Sequence, residues 1–410
     1  MKIGFYGATG SNDFGDWAMM VHNIKQILTI NKDITIYLFT PDKYTTLKNL
    51  VNNLDFKTID KNIIIKDEIA WSYSHLKLKG LKALCYFRIY NYYKRIFKNV
   101  VNENYRDIDR SFINTVKELD AFVFNGGGYI QYNWSYNNYL FLLTCIISKR
   151  NNVPVFFLGN SFGPMRNYKK YLELGLPYIN SVIVRDGTKY SAQLLKDCGY
   201  NNYICGTDDL LFVNDYYDLK QVYHNYIIIE VMLYINKAQK GGQYILDELV
   251  QFVNHVTKTK NVLLINFDCD DGFASFAIQY IQKNSEMRER IYSCSKIKCM
   301  YEVFGYYKYA DFSLSFKYHP LVLSIGSSVP CAGVICDNDS YYESKMKGVF
   351  DSCGLDWHGK LLTIDEFNSD SIIKVYENCI RNKSDYIISD RERLKSIYNS
   401  NLNSYLNNEQ

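Results

Sequence analysis

The sequence predicts two α/β domains of the doubly wound type, and three observations support this. Short apolar runs of strand length alternate with longer helical patterns. The alternation loosens around residues 206–224 and then restarts. The chain has 410 residues, which is too long for one ordinary hydrophobic core. We therefore expect a first domain over residues 1–214, a second over 215–364 and a helical tail over 365–410.

The apolar runs of the first half predict strands that alternate with helices. The predicted strands are Ile3–Tyr6, Ile34–Phe39, Ala121–Phe124, Val153–Leu158 and Ser181–Val184. A Gly-rich turn follows the first strand, and a helix is expected over about residues 16–29.

The second half repeats this rhythm. The predicted strands are Tyr226–Leu233, Asn261–Ile265, Asp311–Phe316 and Ala332–Ile335, with a helix over about residues 243–257. The tail is expected to form two polar helices with no strand between them. Two such domains would place the carboxyl ends of their sheets across a cleft, and ligands bind at such edges.

Composition excludes several classes of function. A net charge of +4 is small for this length and argues against a nucleic-acid binder. Eleven scattered cysteines without C-x-x-C predict free thiols in a reducing cytosol and no metal centre. The sequence shows no signal peptide and no apolar run long enough to span a membrane, so we expect a cytoplasmic protein.

A basic, aromatic stretch over residues 75–100 has two interpretations. Between Trp71 and Val100 there are seven basic residues and no acidic one, and Tyr93, Phe97 and Val100 recur at helical spacing. Such a helix can lie on an anionic membrane, here the inner face of the cell membrane. It can equally pack its apolar face on a core and expose its basic side.

The loop after the first strand is rich in glycine and contains Asp13 and Asp16. Glycines allow close approach to a ligand, and the following helix offers free N–H groups. Carboxylates repel phosphate, so we expect Asp13 and Asp16 to bind sugar hydroxyls or to act as a base. The alternative is a plain strand-to-helix turn.

Two further loops follow predicted strands of the first domain. The run Asn125-Gly-Gly-Gly brings Gly127 and Gly128 to a position where a ligand or the other domain approaches closely, or where the chain simply turns. Asn160 and Ser161 would donate hydrogen bonds at the same edge, or only cap a helix.

Three cationic side chains follow strands. Arg185 comes directly after one, and its guanidinium suits a carboxylate or phosphate; a surface pair with Asp186 is the alternative. Lys317 and His319 lie in the run Ser315-Phe-Lys-Tyr-His, where a strand leads into a helix. A histidine there can transfer a proton or bind phosphate near neutral pH, although single histidines are more often structural.

In this order, the loops resemble the motifs of the polysaccharide pyruvyl transferase family. The matching segments are Asp13-Phe-Gly-Asp-Trp-Ala18, Gly126-Gly-Gly128, Gly159-Asn-Ser-Phe-Gly-Pro164, Arg185-Asp186, Gly206-Thr-Asp208 and Ser315-Phe-Lys-Tyr-His319 followed by Val329-Pro330. The resemblance spans about residues 3–335. This sequence differs at Lys317, where the family usually has Arg, at Asn160 for Gln and at Asp13 for Asn.

The resemblance implies a GT-B-like fold of two Rossmann-like domains, with the donor on the second domain and the acceptor on the first. It implies transfer of the enolpyruvyl group of phosphoenolpyruvate onto a sugar of a surface polysaccharide, or its lipid-linked precursor, as a cyclic ketal without cofactor or metal. His319 and Asp16 would be catalytic. Substrate binding would fall to Arg185, Lys317, Asp13, Gly127, Gly128, Asn160, Ser161 and Ser315.

Two other functions stay open at this point. A nucleotide-sugar-dependent glycosyltransferase can use the same fold. A non-catalytic subunit of a polysaccharide assembly complex would also account for the departures from the family motifs.

Overall fold

The computed structural model describes residues 1–68, 82–232, 241–268, 272–336 and 340–406. It divides into two compact units. The first unit contains Met1–Ser11, Met19–Asp209 and Ser396–Gln410, and the second contains Asn12–Ala18 and Leu210–Lys395. The division therefore falls at residue 209 where the sequence suggested 214, and the expected tail is shared between the units.

The first unit is built on a parallel sheet. Its strands are β1 (Lys2–Tyr6), β2 (Thr35–Thr40), β3 (Ile63–Asp67), β4 (Ala121–Phe124), β5 (Gly127–Ile130), β6 (Val155–Phe162), β7 (Ser181–Val184) and β8 (Tyr203–Cys205). In the described residues the order is β3-β2-β1-β4-β6-β7-β8, with β5 also paired to β6. The fully buried strand β4 lies beside the largely buried strand β1 in parallel register, with Ile3 opposite Ala121.

Helices cover this sheet. They are α1 (Phe14–Ile30), α2 (Lys43–Val51), α3 (Phe56–Asn62), α4 (Lys82–Val101), α5 (Arg110–Lys117), α6 (Ser135–Arg150), α7 (Lys169–Gly175) and α8 (Ser191–Asp197). The apolar run Leu140–Ile147 lies on α6; most of it packs in the hydrophobic core with Phe122 and Phe124. Because this helix is buried on most sides, its sequence is apolar on more than one face.

The second unit repeats the architecture. Its strands are β9 (Tyr226–Glu230), β10 (Asn261–Ile265), β11 (Ile291–Cys294), β12 (Phe312–Ser315), β13 (Cys331–Ile335) and β14 (Leu361–Thr363), in the order β11-β10-β9-β12-β13-β14. Its helices are α9 (Val213–Tyr216), α10 (Gly242–Thr257), α11 (Gly272–Asn284), α12 (Met300–Lys308), α13 (Tyr318–Gly326), α14 (Ser340–Ser352) and α15 (Ser369–Arg381). The last helix, α16 (Arg391–Leu406), begins in the second unit and continues in the first. The predicted α/β class is thus confirmed in both units.

Five strands were not predicted from the sequence, because their apolar runs are short or interrupted by polar residues and glycines. They are β3, β5, β8, β11 and β14. Strands β8, β11 and β14 are partly exposed, so their sequences do not stand out from loops. Strand β5 contains Gly127 and Gly128, residues that weaken strands and that the sequence analysis placed in the loop after β4.

The predicted basic helix over residues 75–100 is described in part. Residues 69–81 lie outside the described residues, and α4 begins at Lys82. In its described side chains, Tyr93, Phe97 and Val100 are buried in the core of the first unit. The core-facing interpretation is therefore correct for this part of α4. Among the helices that the structure describes, none has the length and apolarity required to cross a bilayer.

Candidate functional site

The second unit gathers charged residues at the carboxyl ends of its central strands. Glu230 is the last residue of β9, and Lys317 follows the neighbouring strand β12 as the N-cap residue of α13. Asp13, from the segment Asn12–Ala18 of the same unit, accepts a hydrogen bond from Lys317 Nζ at 2.6 Å. We call Asp13, Glu230, Lys317 and His319 the strand-end cluster.

Aromatic and backbone contacts hold Asp13 in place. Phe14 N–H donates to the carbonyl of Phe267 at 2.7 Å, and Asp13 forms an isolated antiparallel bridge with Asp268. The buried ring of Phe14 packs against Phe267 at 4.6 Å between ring centroids and against Phe304 at 6.1 Å. These contacts hold the Asp13 carboxylate at the sheet of the second unit. A simple strand-to-helix turn would not require such contacts.

The ion pair of Lys317 and Asp13 is largely shielded from water, with side-chain exposures of 15% and 26%. Burial lowers the pKa of Lys317, but Asp13 and Glu230 raise it more, so the ammonium stays charged. Burial raises the pKa of Asp13, yet Lys317 and His319 lower it below its usual value. Asp13 therefore holds the lysine of the cluster, and its binding of sugar hydroxyls stays a prediction.

His319 lies in the first turn of α13, with a side-chain exposure of 9%. Its Nδ1 atom is 4.0 Å from Asp13 Oδ1, which is too far for a hydrogen bond but close enough for a charge interaction. Gly15 permits this proximity, because a Cβ atom there would lie 1.7 Å from His319 Nδ1. Asp16 is half-buried in the first turn of α1, next to Gly15.

Glu230 is a member of the cluster that sequence reasoning missed. Its Oε2 atom accepts hydrogen bonds from the backbone N–H groups of Phe316 and Lys317, at 2.9 and 3.0 Å. Burial raises its pKa to about 7, although Lys317 and these hydrogen bonds oppose the shift. The predicted strand Tyr226–Leu233 ran past Glu230, so its place at the strand end was not foreseen; a single acidic residue within that apolar run was the available signal.

Ser315, expected to bind substrate, is fully buried below the cluster. Its hydroxyl lies 3.1 Å from that of Ser313, which lies 2.9 Å from the hydroxyl of Ser324. These hydroxyl groups link β12 to α13. In this structure Ser315 therefore supports the helix that presents His319, and its contact with substrate stays a prediction.

The first unit places Arg185 in a different environment from the one expected. Arg185 was predicted to open onto a cleft, but it is fully buried and pairs with Asp208 at 2.5 Å. Its Nε atom donates to Ser161 Oγ at 3.1 Å. Asp186 is also buried, so the alternative of a surface pair does not hold. A buried guanidinium held by Asp208 and Ser161 ties β6 and β7 to the segment after β8.

The glycines of the first unit make room for Asp209. A Cβ atom on Gly126 would lie 2.2 Å from Asp209 Oδ2, and one on Gly159 would lie 2.7 Å from Oδ1. Asn23 and the Gly159 N–H donate to this carboxyl group at 2.8 and 3.0 Å. Burial and Asp208 nevertheless raise the pKa of Asp209 to about 7. The buried carboxyl group of Asp209 therefore explains, independently of any ligand, why residue 126 is a glycine.

The remaining predicted residues of the first unit lie in strands. Asn160 and Ser161 belong to β6, which extends four residues beyond its predicted end, so they do not cap a helix. The Asn160 amide donates to the carbonyls of Asn125 and Leu158 at 3.0 and 2.9 Å. Gly128 lies in β5 beside Gly127, whose φ of +157° is rarely adopted by L residues.

Within the described residues, no group of three or more His, Cys, Asp or Glu side chains is arranged to hold a metal ion. The strand-end cluster offers a charged lysine, a histidine in contact with a carboxylate, and the start of α13. Such a set can bind a small anion and deliver a proton to it.

Several solved structures share this fold at low sequence identity. The S. aureus protein MnaA, solved with UDP, is 12% identical over 99% of this chain and 96% of its own, with a TM-score of 0.56. The UDP-GlcNAc 2-epimerase of Methanocaldococcus jannaschii is 12% identical over 93% and 94%, with a TM-score of 0.54. A ugt transferase from Siraitia grosvenorii in complex with UDP is 9% identical over 99% of each chain, with a TM-score of 0.54.

These similarities show the fold alone, and they confirm the predicted GT-B-like class. No curated protein matches the sequence. The family model described as polysaccharide pyruvyl transferase matches residues 14–338, a range that holds three members of the strand-end cluster. The chain belongs to the polysaccharide pyruvyl transferase family.

Proposed function

We propose that the protein transfers the enolpyruvyl group of phosphoenolpyruvate onto two hydroxyls of one sugar, which forms a cyclic ketal and releases phosphate. The observation that carries the proposal is the strand-end cluster, in which Lys317 and His319 lie together at the start of α13. The acceptor is a sugar of a surface polysaccharide or of its lipid-linked precursor, in line with the family.

The donor carries a carboxylate and a phosphate, and the cluster offers them a permanent cation. Lys317 keeps its charge because Asp13 and Glu230 raise its pKa. The N-terminus of α13 adds the positive end of a helix dipole. Glu230 lies beneath this terminus, and a pKa of about 7 keeps it partly protonated at neutral pH, which limits its repulsion of the donor.

The chemistry needs one proton at the methylene carbon of the donor. His319 supplies it as the first sugar hydroxyl adds to the central carbon, and Asp13 stabilises the protonated imidazole from 4.0 Å. The second hydroxyl then displaces phosphate. Of the two hydroxyl protons released, one restores His319 and the other leaves with phosphate. Asp16, beside this segment, is our candidate for orienting or deprotonating an acceptor hydroxyl.

Arg185 is not part of the proposed donor site, because its guanidinium is fully buried in a pair with Asp208. Lys317 stands where the family usually has arginine, and this difference changes the hydrogen bonds available at the site. Lysine presents a single ammonium group, which donates to Asp13 at 2.6 Å, whereas the guanidinium of arginine would form bidentate hydrogen bonds.

The test incubates the protein with phosphoenolpyruvate and lipid-linked oligosaccharides, and follows phosphate release and the mass of the acceptor. We expect phosphate release together with the mass gain of a pyruvyl ketal, and both should be lost in the His319→Ala variant. Thermal stabilisation by nucleoside diphosphates but not by phosphoenolpyruvate would favour a glycosyltransferase instead. A normal polysaccharide in cells that carry His319→Ala would favour a non-catalytic subunit.

A further inference from the structure

Helix α2 of the first unit exposes its apolar face and buries its polar one, which is the reverse of an ordinary surface helix. Its exposed side chains include Tyr44, Leu47 and Val51, which are 79%, 43% and 50% exposed. Its buried residues are mostly polar: Thr45, Thr46, Asn49 and Leu50. The three apolar residues follow the i, i+3, i+7 spacing of one helix face, a pattern that normally faces a core.

Hydrogen bonds fix this orientation. Thr45 Oγ1 donates to Asp42 Oδ2 at 2.8 Å, and the hydroxyls of Thr46 and Thr40 lie 2.8 Å apart. Asn49 donates to the Ser11 carbonyl at 3.4 Å. Rolling the helix to bury Leu47 would break the bonds of Thr46 to Thr40 and of Asn49 to Ser11, and would leave buried polar groups without partners, which is costly.

The exposed apolar surface continues onto the neighbouring helix α3. Phe56, its first residue, is 74% exposed. Between residues 30 and 64 the structure exposes Ile30, Tyr44, Leu47, Val51, Phe56 and Ile64. Among the other side chains of the first unit whose burial the structure describes, which leaves out residues 82–90 and 134–137, only Leu174 and Ile204 are large, apolar and exposed. Helices α2 and α3 contact each other, so Tyr44, Leu47, Val51 and Phe56 define one region, which we call the α2–α3 surface.

Lysines accompany these apolar side chains. Within α2 the exposed face also carries Lys43 and Lys48, and the helix contains no acidic residue. Next to Phe56, a depression of about 380 Å³ is lined by Lys25, Lys32, Lys57 and Lys61, and by one carboxylate, Asp55.

The carboxylates of this region leave the basic character in place. Asp55 accepts hydrogen bonds from the N–H and hydroxyl of Thr58 at 2.9 and 2.6 Å, as the N-cap of α3. Lys61 pairs with Asp33 and Lys43 pairs with Asp67, but all four side chains are 40% exposed or more, and such surface pairs contribute little. Between residues 25 and 67 the sequence has seven lysines and five aspartates, so a basic excess remains. The surface is therefore complementary to a partner that is apolar inside and anionic at its boundary.

We propose that the α2–α3 surface docks on an anionic membrane, with Tyr44, Leu47, Val51 and Phe56 in the acyl boundary and the lysines at the lipid phosphates. Aromatic and aliphatic side chains flanked by lysine suit this interface. Its link to a lipid-linked acceptor rests on the proposed function, but the docking itself requires neither donor nor acceptor. Membrane binding and ketal formation on a soluble sugar can therefore fail separately.

The test measures cosedimentation of the full chain with vesicles of phosphatidylcholine alone and with added phosphatidylglycerol. We expect binding only to the anionic vesicles. A variant with Tyr44→Ser, Leu47→Ser and Phe56→Ser should bind at least about tenfold more weakly, because it loses most of the inserted apolar area. The matched control replaces exposed apolar residues of the second unit, with Phe276→Ser and Ile387→Ser, and should bind like the parent.

A second pair of variants separates the charges from the apolar side chains. Lys48→Glu with Lys57→Glu should weaken binding by about tenfold or more, whereas Lys283→Glu with Lys374→Glu, which changes the net charge equally, should not. Circular dichroism confirms that each variant is folded. No binding of the parent to anionic vesicles, or equal binding by the serine variant, would overturn the proposal. A parent dimer that the serine variant dissociates would also overturn it, since a second copy would then cover the surface.

Discussion

Replacing Gly15 by alanine places a methyl group where His319 now lies. The new Cβ atom would be 1.7 Å from Nδ1, 2.1 Å from Cγ and 2.4 Å from Cε1 of the imidazole. An ordinary contact is at least 3.4 Å, so the ring would have to move by about 1.7 Å. A displacement of this size costs catalysis about 100-fold or more. Overpacking should also lower the free energy of unfolding by about 2 kcal/mol.

The assay combines phosphate release with denaturant unfolding in a double-mutant cycle. Alanine in place of glycine inside a helix normally stabilises by about 1 kcal/mol, so a loss of stability would carry the opposite sign. The matched control is Gly272→Ala at the start of α11, where nothing lies within 4 Å of the new Cβ atom. In the His319→Ala background the ring is absent, and Gly15→Ala should no longer destabilise.

The reasoning would be refuted by a Gly15→Ala protein with the activity and stability of the parent. It would equally be refuted if Gly15→Ala destabilised the His319→Ala protein as much as it destabilises the parent. The cost would then arise from the backbone and not from the ring.

Three further predictions concern single residues. Glu230→Gln should flatten the pH dependence of the free energy of unfolding. The native carboxyl keeps its proton up to a pKa of about 7, whereas the unfolded one ionises near 4.5. The contribution of this group to the parent's stability is therefore full below about pH 4.5 and falls by about 3 kcal/mol as the pH rises through 7. Urea unfolding across this range measures the effect, and parallel curves of unfolding free energy against pH for the two proteins would contradict it. Lys317→Met should weaken phosphoenolpyruvate binding about 10- to 100-fold in calorimetric titration, while Lys317→Arg retains the charge and binding; equal affinity of Lys317→Met and the parent would remove Lys317 from the donor site. Gly126→Ala should lower the free energy of unfolding by about 2 kcal/mol, because its Cβ atom would lie 2.2 Å from Asp209 Oδ2. The Asp209→Ala background should remove most of that cost and leave a remainder from the Gly159 carbonyl oxygen, which would lie 3.0 Å from the new Cβ atom. A cost that persists there in full would argue against this explanation.

Sequence periodicity predicted the buried strands and missed the partly exposed ones. Strands β4, β7 and β10 have the bounds that their apolar runs indicate, because both faces of each are largely covered. Strands β8, β11 and β14 have exposed positions, and no local pattern separates them from loops. The end of β6 was also missed, since Gly159 and Asn160 do not favour a strand.

The candidate site was predictable as a set of strand ends but not as a set of pairs. Lys317 and His319 could be singled out because a strand leads directly into a helix there. Their partner Asp13 lies 304 positions away, and only the tertiary fold brings it to Lys317. Similarly, nothing in the sequence indicates that Arg185 is buried in an ion pair with Asp208, or that α2 exposes its apolar face to solvent.

The incorporation of solvent hydrogen into the product tests the central claim most directly. When the reaction runs in D₂O, proton delivery to the methylene carbon must leave deuterium in the methyl group of the ketal. The account predicts a pyruvylated sugar with a single deuterium in that methyl group, formed by the parent and not by the His319→Ala variant. An acceptor that gains a sugar instead of a ketal, or a ketal formed equally well without His319, would contradict it.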